Sequence, residues 1–233
     1  MKQTLSVLLA FACALFAEMA SSPAAHWKLG QNEGGLISPL AGSVPGKLHP
    51  TGNYSSVFGV SGKALHFGTP PTGVFLPGLA FDFTKPFTVI ATVRLDPDAA
   101  RGEGFRAFKD IFANTGTRGP GARLTIFYGR LQFNSGDGVT SSSVITNPSE
   151  CTLPVNRWFQ VAVTYDGSKV TLYVDGIPVG SKSMAVTASA DTLCIGANRA
   201  TAYPFRGAID EFSLYDTALP PRDIATYALD QIR

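Results

Sequence analysis

The chain has 233 residues and a formal charge of only +2, with no run of Lys or Arg interleaved with aromatics; this argues against a nucleic-acid track or a membrane-surface patch. Hydrophobic residues make up 45%, enough for a substantial core, while 24 Gly and 16 Pro supply many turns, the composition of an all-β domain. In chain order, residues 1–24 read as an export signal: Lys2 gives the positive start, Leu5 to Phe16 the apolar run, and Ala17, Ala20 and Ala24 are candidate last residues of the cleaved peptide. The apolar run is shorter than the roughly 20 residues of a spanning helix. The expectation is therefore cleavage, no membrane insertion afterwards, a secreted or periplasmic protein, and one domain over 25–233. Cys13 lies inside the apolar run two residues after Phe11, a poor context for lipidation.

His26 to Gly30 reads as an opening strand, followed by a Gly/Pro/Ser-rich loop from Gln31 to Ser56 without clear periodicity. Alternation resumes at Gly59 to Phe67. Pro86 to Asp96 is a long strand with Phe87, Val89, Ala91 and Val93 on one face. Phe108 to Asn114, Ala122 to Gly129 and Arg130 to Asn134 follow as strands, with Gly129-Arg130 as a tight turn. Arg157 to Gly180 is a meander turned at Asp166-Gly167 and Asp175-Gly176, then come Leu193 to Asn198 and Arg206 to Leu219. The tail PPRDIATYALDQIR is the one good helix candidate, with Ile224, Tyr227 and Ala228 on one face. Alternation assigns Trp158, Val161, Val163, Leu172, Val174, Ile209 and Phe212 to the core.

The order of these pieces, RWFQVAVTYDGSKVTLYVDGIPVG, then LCIGAN, then RGAIDEFSLYDTAL, with GKALHF and the 86–96 strand ahead of them, resembles the laminin-G-like, or concanavalin-A-like, lectin/glucanase jelly-roll family. The resemblance spans roughly residues 25 to 230. It implies a two-sheet antiparallel β-sandwich with a short C-terminal helix. It leaves function open, since lectins, adhesion domains and glycoside-cleaving enzymes share this scaffold.

Glucanases on the scaffold carry an E-x-D-x-x-E strand that projects carboxylates into one cleft, and no such triplet occurs here. Asp210 and Glu211 are adjacent, so in a regular strand they point to opposite faces. Asp96 and Asp98 share a parity across Pro97, at a strand end entering a loop. His66 with Tyr128 and Arg130 is the only set that suggests a lyase base. The family resemblance implies one structural calcium ion held by Asp210 and the Gly62 carbonyl. Relatives' further acidic positions are Gly30 and Pro39 here, which lowers the number of anionic ligands. Removal of the signal leaves Cys151 and Cys194, an even count that in an exported chain predicts a disulfide; two separate buried thiols are the alternative. Recognition of a polysaccharide or glycoconjugate needs aromatics and hydroxyl-binding polar groups at a rim. Asn198, Arg199 and Tyr203 in one loop, and Tyr128 and Arg130 in another, supply them. A non-catalytic carbohydrate-binding module is the favoured function; a glycoside hydrolase, a polysaccharide lyase or a protein-binding adhesion module are the alternatives.

Overall fold

Alternation of buried and half-buried side chains marks only a few segments such as 25–30, while the central strands are buried along nearly their whole length, and the computed structural model describes residues 21–68, 72–97, 108–115, 119–198 and 202–231. The expected signal lies outside these residues up to position 20, as do Asp98 and Arg199. The strands are β1 (Ala25–Glu33), β2 (Leu36–Ala41), β3 (Gly46–Leu48), β4 (Tyr54–Phe58), β5 (Lys63–Phe67), β6 (Val74–Leu76), β7 (Phe87–Leu95), β8 (Phe108–Ala113), β9 (Gly121–Phe127), β10 (Arg130–Gly136), β11 (Ser141–Ile145), β12 (Trp158–Tyr165), β13 (Lys169–Val174), β14 (Ile177–Ser183), β15 (Leu193–Ile195) and β16 (Gly207–Tyr215), closed by helix α1 (Pro221–Gln231). Among the described residues no helix is long and apolar enough to cross a membrane.

All pairings are antiparallel, and the hydrogen-bonded path runs β11-β10-β9-β8-β15-β6-β3-β2-β1-β16-β7-β12-β13-β14, with β5 and β4 branching from β16. Where two separate sheets are expected, one continuous sheet results, because the short strands β3, β6 and β15 carry the pairing from one side to the other. Its two ends approach each other: Lys182 Nζ on β14 donates to the Ser143 carbonyl on β11 at 3.1 Å. The sheet thus folds back around one core. Gln31 to Ser56, expected as loop, contains β2, β3 and most of β4, whose short, half-exposed segments lack a clean alternation.

Phe87, Val89, Ala91 and Val93 all face the core as expected, beside Phe159, Val161, Val163 and Leu172. Trp158 does not. Phe159 opens the inward set of β12, so Trp158 falls on the outer face, half-exposed, under the Arg94 guanidinium at 5.2 Å. Val174 is partly buried against the core. Ile209 and Phe212 differ in parity yet both lie in the core, and the register explains how: Ile209 pairs with Val93 and Phe212 with Ala91, so Asp210 and Glu211 together oppose Thr92. This is a β-bulge. It turns both acidic side chains to the outer face, in place of the opposite faces that a regular strand would give.

The turns after β12 and β13 fall at Asp166-Gly167 and Asp175-Gly176 as expected, and Asp175 and Gly176 both have positive φ (47° and 77°), as a type I′ hairpin requires. The β9–β10 turn is Tyr128-Gly129 rather than Gly129-Arg130: Arg130 already pairs with Phe127, and Tyr128 and Gly129 have φ of 49° and 73°. Helix α1 lays Ile224 and Tyr227 against Ile90, Ala162, Tyr173 and Tyr215 on the outer face of the β7–β12–β13 arm, and Ala228 is buried with them.

Cys151 and Cys194 are both buried and not joined by a disulfide. They occupy different surroundings. Cys151 belongs to the main core near the β13–β14 turn, where burial and then the Asp175 charge raise its thiol pKa. Cys194 is fixed on β15 opposite Phe75 and Ala113, close to Tyr54.

Candidate functional site

Strands β8, β9 and β10 present three rows of side chains on their outer face, fixed by register: Phe108–Phe127–Arg130, Asp110–Thr125–Gln132, and Arg123–Asn134. The inward positions between them, among them Leu124, Ile126, Leu131 and Phe133, hold the strands to the core. The first row is aromatic. Phe108 and Phe127 stack with centroids 4.4 Å apart, Tyr203 packs on Phe108 at 5.3 Å, and Tyr128 lies edge-on to Phe127 at 4.6 Å. Tyr203, Phe108, Phe127 and Tyr128 therefore form a ladder of rings from a buried end to an exposed one: Tyr203 is 6% exposed and Tyr128 49%.

This ladder joins the two clusters named from sequence. Asn198 and Tyr203 stand at its buried end, and Tyr128 and half-buried Arg130 at its open end. The expectation of exposed rim contacts is corrected for Asn198 and Tyr203. Asn198 is buried and its backbone pairs with Ala202 in both directions, and Tyr203 is clamped between Phe108 and Arg123.

Behind the ladder lies a charged pair. Asp110 and Arg123 are both buried, with Arg123 Nε 3.7 Å from Asp110 Oδ1. The guanidinium also sits over Phe108 at 4.6 Å and Tyr203 at 5.4 Å. Burial pushes the Asp110 pKa up to about 7, against the opposing pull of Arg123 and, more weakly, of Thr125 and Asn198. None of these makes a hydrogen bond of good geometry to it: both Asp110 oxygens, Arg123 Nε and Nη1, Gln132 Oε1, Asn134 Oδ1 and Asn198 Nδ2 are buried without a partner. Buried polar atoms are nearly always satisfied in a folded chain, and these seven lie out of reach of a surface ligand. Asp110, Arg123, Gln132 and Asn134 were not named from sequence. Their signal was there, in polar residues alternating with core residues in ARLTIF and RLQFN.

The acidic bulge is a separate place. Asp210 Oδ2 accepts from the Val60 and Ser61 amides at 2.7 and 3.1 Å, its Oδ1 is buried without a partner, and burial raises its pKa. Glu211 is held by His26 and, at 3.6 Å, by Lys28 Nζ. The Gly62 carbonyl accepts from the Gly59 amide at 3.0 Å. One carboxylate oxygen and a carbonyl already in use, with a lysine ammonium beside them, fit a calcium ion poorly, since calcium takes six to eight oxygens. Among the described residues no group of three His, Cys, Asp or Glu could hold a metal. Nor do the two carboxylates make an acid–base pair open to substrate, because each is buried and engaged. His66 Nε2 lies 3.1 Å from Asp96, on β5 and just after β7, with no hydrogen bond to Tyr128 or Arg130 among the described residues.

Residues 68–225 match the profile of the concanavalin A-like lectin/glucanases superfamily. The chain belongs to this superfamily. No curated protein matches it by sequence. Among solved structures, domain 4 of the GH43 extracellular arabinanase AbnA from Geobacillus stearothermophilus, in complex with arabinotriose, is 22% identical with a TM-score of 0.68, covering 91% of this chain and 100% of that one. The botulinum neurotoxin serotype D binding domain is 15% identical (TM-score 0.67, 91% of this chain, 51% of that one), and Trypanosoma rangeli sialidase is 20% identical (TM-score 0.63, 89% and 32%). The chain thus spans the whole arabinanase domain but half of the toxin domain and a third of the sialidase. At these identities the likeness establishes the fold.

Proposed function

We propose that this lectin/glucanase-superfamily chain is an exported, non-catalytic carbohydrate-binding module that takes a neutral polysaccharide or glycoconjugate on the outer face of β8–β10. The observation that carries this reading is the aromatic ladder that ends at exposed Tyr128 beside half-buried Arg130. Rings offer flat apolar faces for stacking on sugars. At the open end the Tyr128 hydroxyl both donates and accepts and the half-buried Arg130 guanidinium donates, which suits sugar hydroxyls, since each of those also donates and accepts. The ligand is proposed neutral because the arabinotriose bound by the similar arabinanase domain carries no charge. The arabinotriose complex of the similar arabinanase domain supports carbohydrate as the ligand class.

Retention on immobilised neutral polysaccharides, arabinan among them, tests the reading. Wild type should be retarded and Tyr128→Asn clearly less so, with no release of reducing ends or unsaturated sugars. Release of either product would place the chain among the carbohydrate-cleaving members instead.

A further inference from the structure

We infer that the outer face of the opposite arm carries a second, independent site, which takes the carboxylate of an acidic saccharide. Register puts Trp158, Arg94, Ala208, His66 and Ser55 in one row across β12, β7, β16, β5 and β4. At about 4.8 Å per strand, Trp158 and His66 stand roughly 14 Å apart. Ala208 is fully buried between half-exposed Arg94 and His66, so the two larger side chains are what a ligand on this row meets.

The Arg94 guanidinium lies over the Trp158 ring at 5.2 Å, and among the described residues no carboxylate pairs with it. That contact holds the guanidinium at the ring, and with no carboxylate already on it, its N–H groups are left to grip a ligand carboxylate with two parallel hydrogen bonds. Arg123, Arg157 and Arg222, by contrast, each face an aspartate. On the far side of Ala208, His66 Nε2 is held by Asp96 at 3.1 Å, which fixes the ring and leaves Nδ1 for a hydroxyl, with exposed Ser55 beside it. Asp96 keeps an acid group away from the His66 end. The ligand is thereby oriented, with its carboxylate on Arg94 and its hydroxyls toward His66 and Ser55.

Titration of the purified protein with tetragalacturonate and with sialyllactose, each against its carboxyl methyl ester, tests this. At least one acid should bind and quench the fluorescence of half-exposed Trp158, and its ester should bind at least tenfold more weakly. Arg94→Gln should lose at least tenfold in affinity with an unchanged Tm, His66→Gln should lose less, and Tyr128→Asn should bind the acid as wild type does. Equal binding of acid and ester, retention of affinity in Arg94→Gln, or no binding of either acid overturns the site. Loss of acid binding in Tyr128→Asn would instead assign the acid to the β8–β10 face.

Discussion

Tyr128 and Tyr203 belong to one ladder, have nearly the same φ (49° and 52°) and differ in exposure, so the same substitution separates binding from packing. Asn tolerates a left-handed backbone better than most residues. Tyr128→Asn should therefore keep its turn and the Tm while weakening glycan retention by about fivefold, or ~1 kcal/mol. Tyr203→Asn should lower stability by about 3 kcal/mol in a denaturant melt, because a buried ring is lost from between Phe108 and Arg123. Asp110 gives a pH signature. Unfolded, it ionises near 4; folded, burial holds its pKa at about 7. Between those values the native state binds the extra proton, so Asp110's contribution to stability is largest at the acid end and falls as pH rises to about 7. A Tm-versus-pH series should show this decline, and Asp110→Asn should flatten it.

Strand β16 shows what one extra residue does to an element. Its bulge lets Ile209 and Phe212 both reach the core and puts Asp210 and Glu211 on the same outward side. Gly59 packs so closely on the Asp210 carboxylate that a Cβ would collide with it. Gly59→Ala should accordingly lower the Tm by several degrees, with Val60 and Ser61 losing their hydrogen bonds to Asp210. The hairpin after β13 bears on helix α1 in the same way: a Cβ on Gly176 would lie 2.7 Å from Ala225 Cα at a φ of 77°, and Gly176→Ala should destabilise the helix dock. Much of this was legible in advance. The meander, the Asp-Gly turns, the 86–96 strand and the C-terminal helix all follow from local period and turn chemistry. The bulge was not, because nothing in GAIDEF marks where two residues oppose one; that is decided by both Ile209 and Phe212 being needed inside. The side of Trp158 is not legible, since its neighbour Phe159 is also apolar and only the pairing with β7 chooses between them. The Asp110–Arg123 pair is not legible either, because the two residues meet across two strands rather than along one.

For the molecule as a whole, the separated environments of Cys151 and Cys194 and the poor calcium donor set at Asp210 make two plain expectations. Reducing agent should leave the Tm unchanged, and thiol labelling after denaturation without reductant should modify both cysteines. Chelation with EDTA should also leave the melt where it is, whereas a drop of several degrees would show that an ion is held after all.

The pairing of β1 with β16, fastened by His26 to Glu211 across 185 positions of sequence, sets an order of events in time. The first strand of the fold to leave the ribosome is among the last to find its partner, since β16 follows nearly all the rest. Closing so long a loop is slow, and contacts of this range delay folding. Until it closes, Trp27 and Leu29 have no core to enter, and the nascent chain stays open along the strand edges that the finished sheet conceals. Such a polypeptide remains threadable for as long as its C-terminal third is missing, and a block confined to the final fifty residues would leave the beginning of the chain unfolded too.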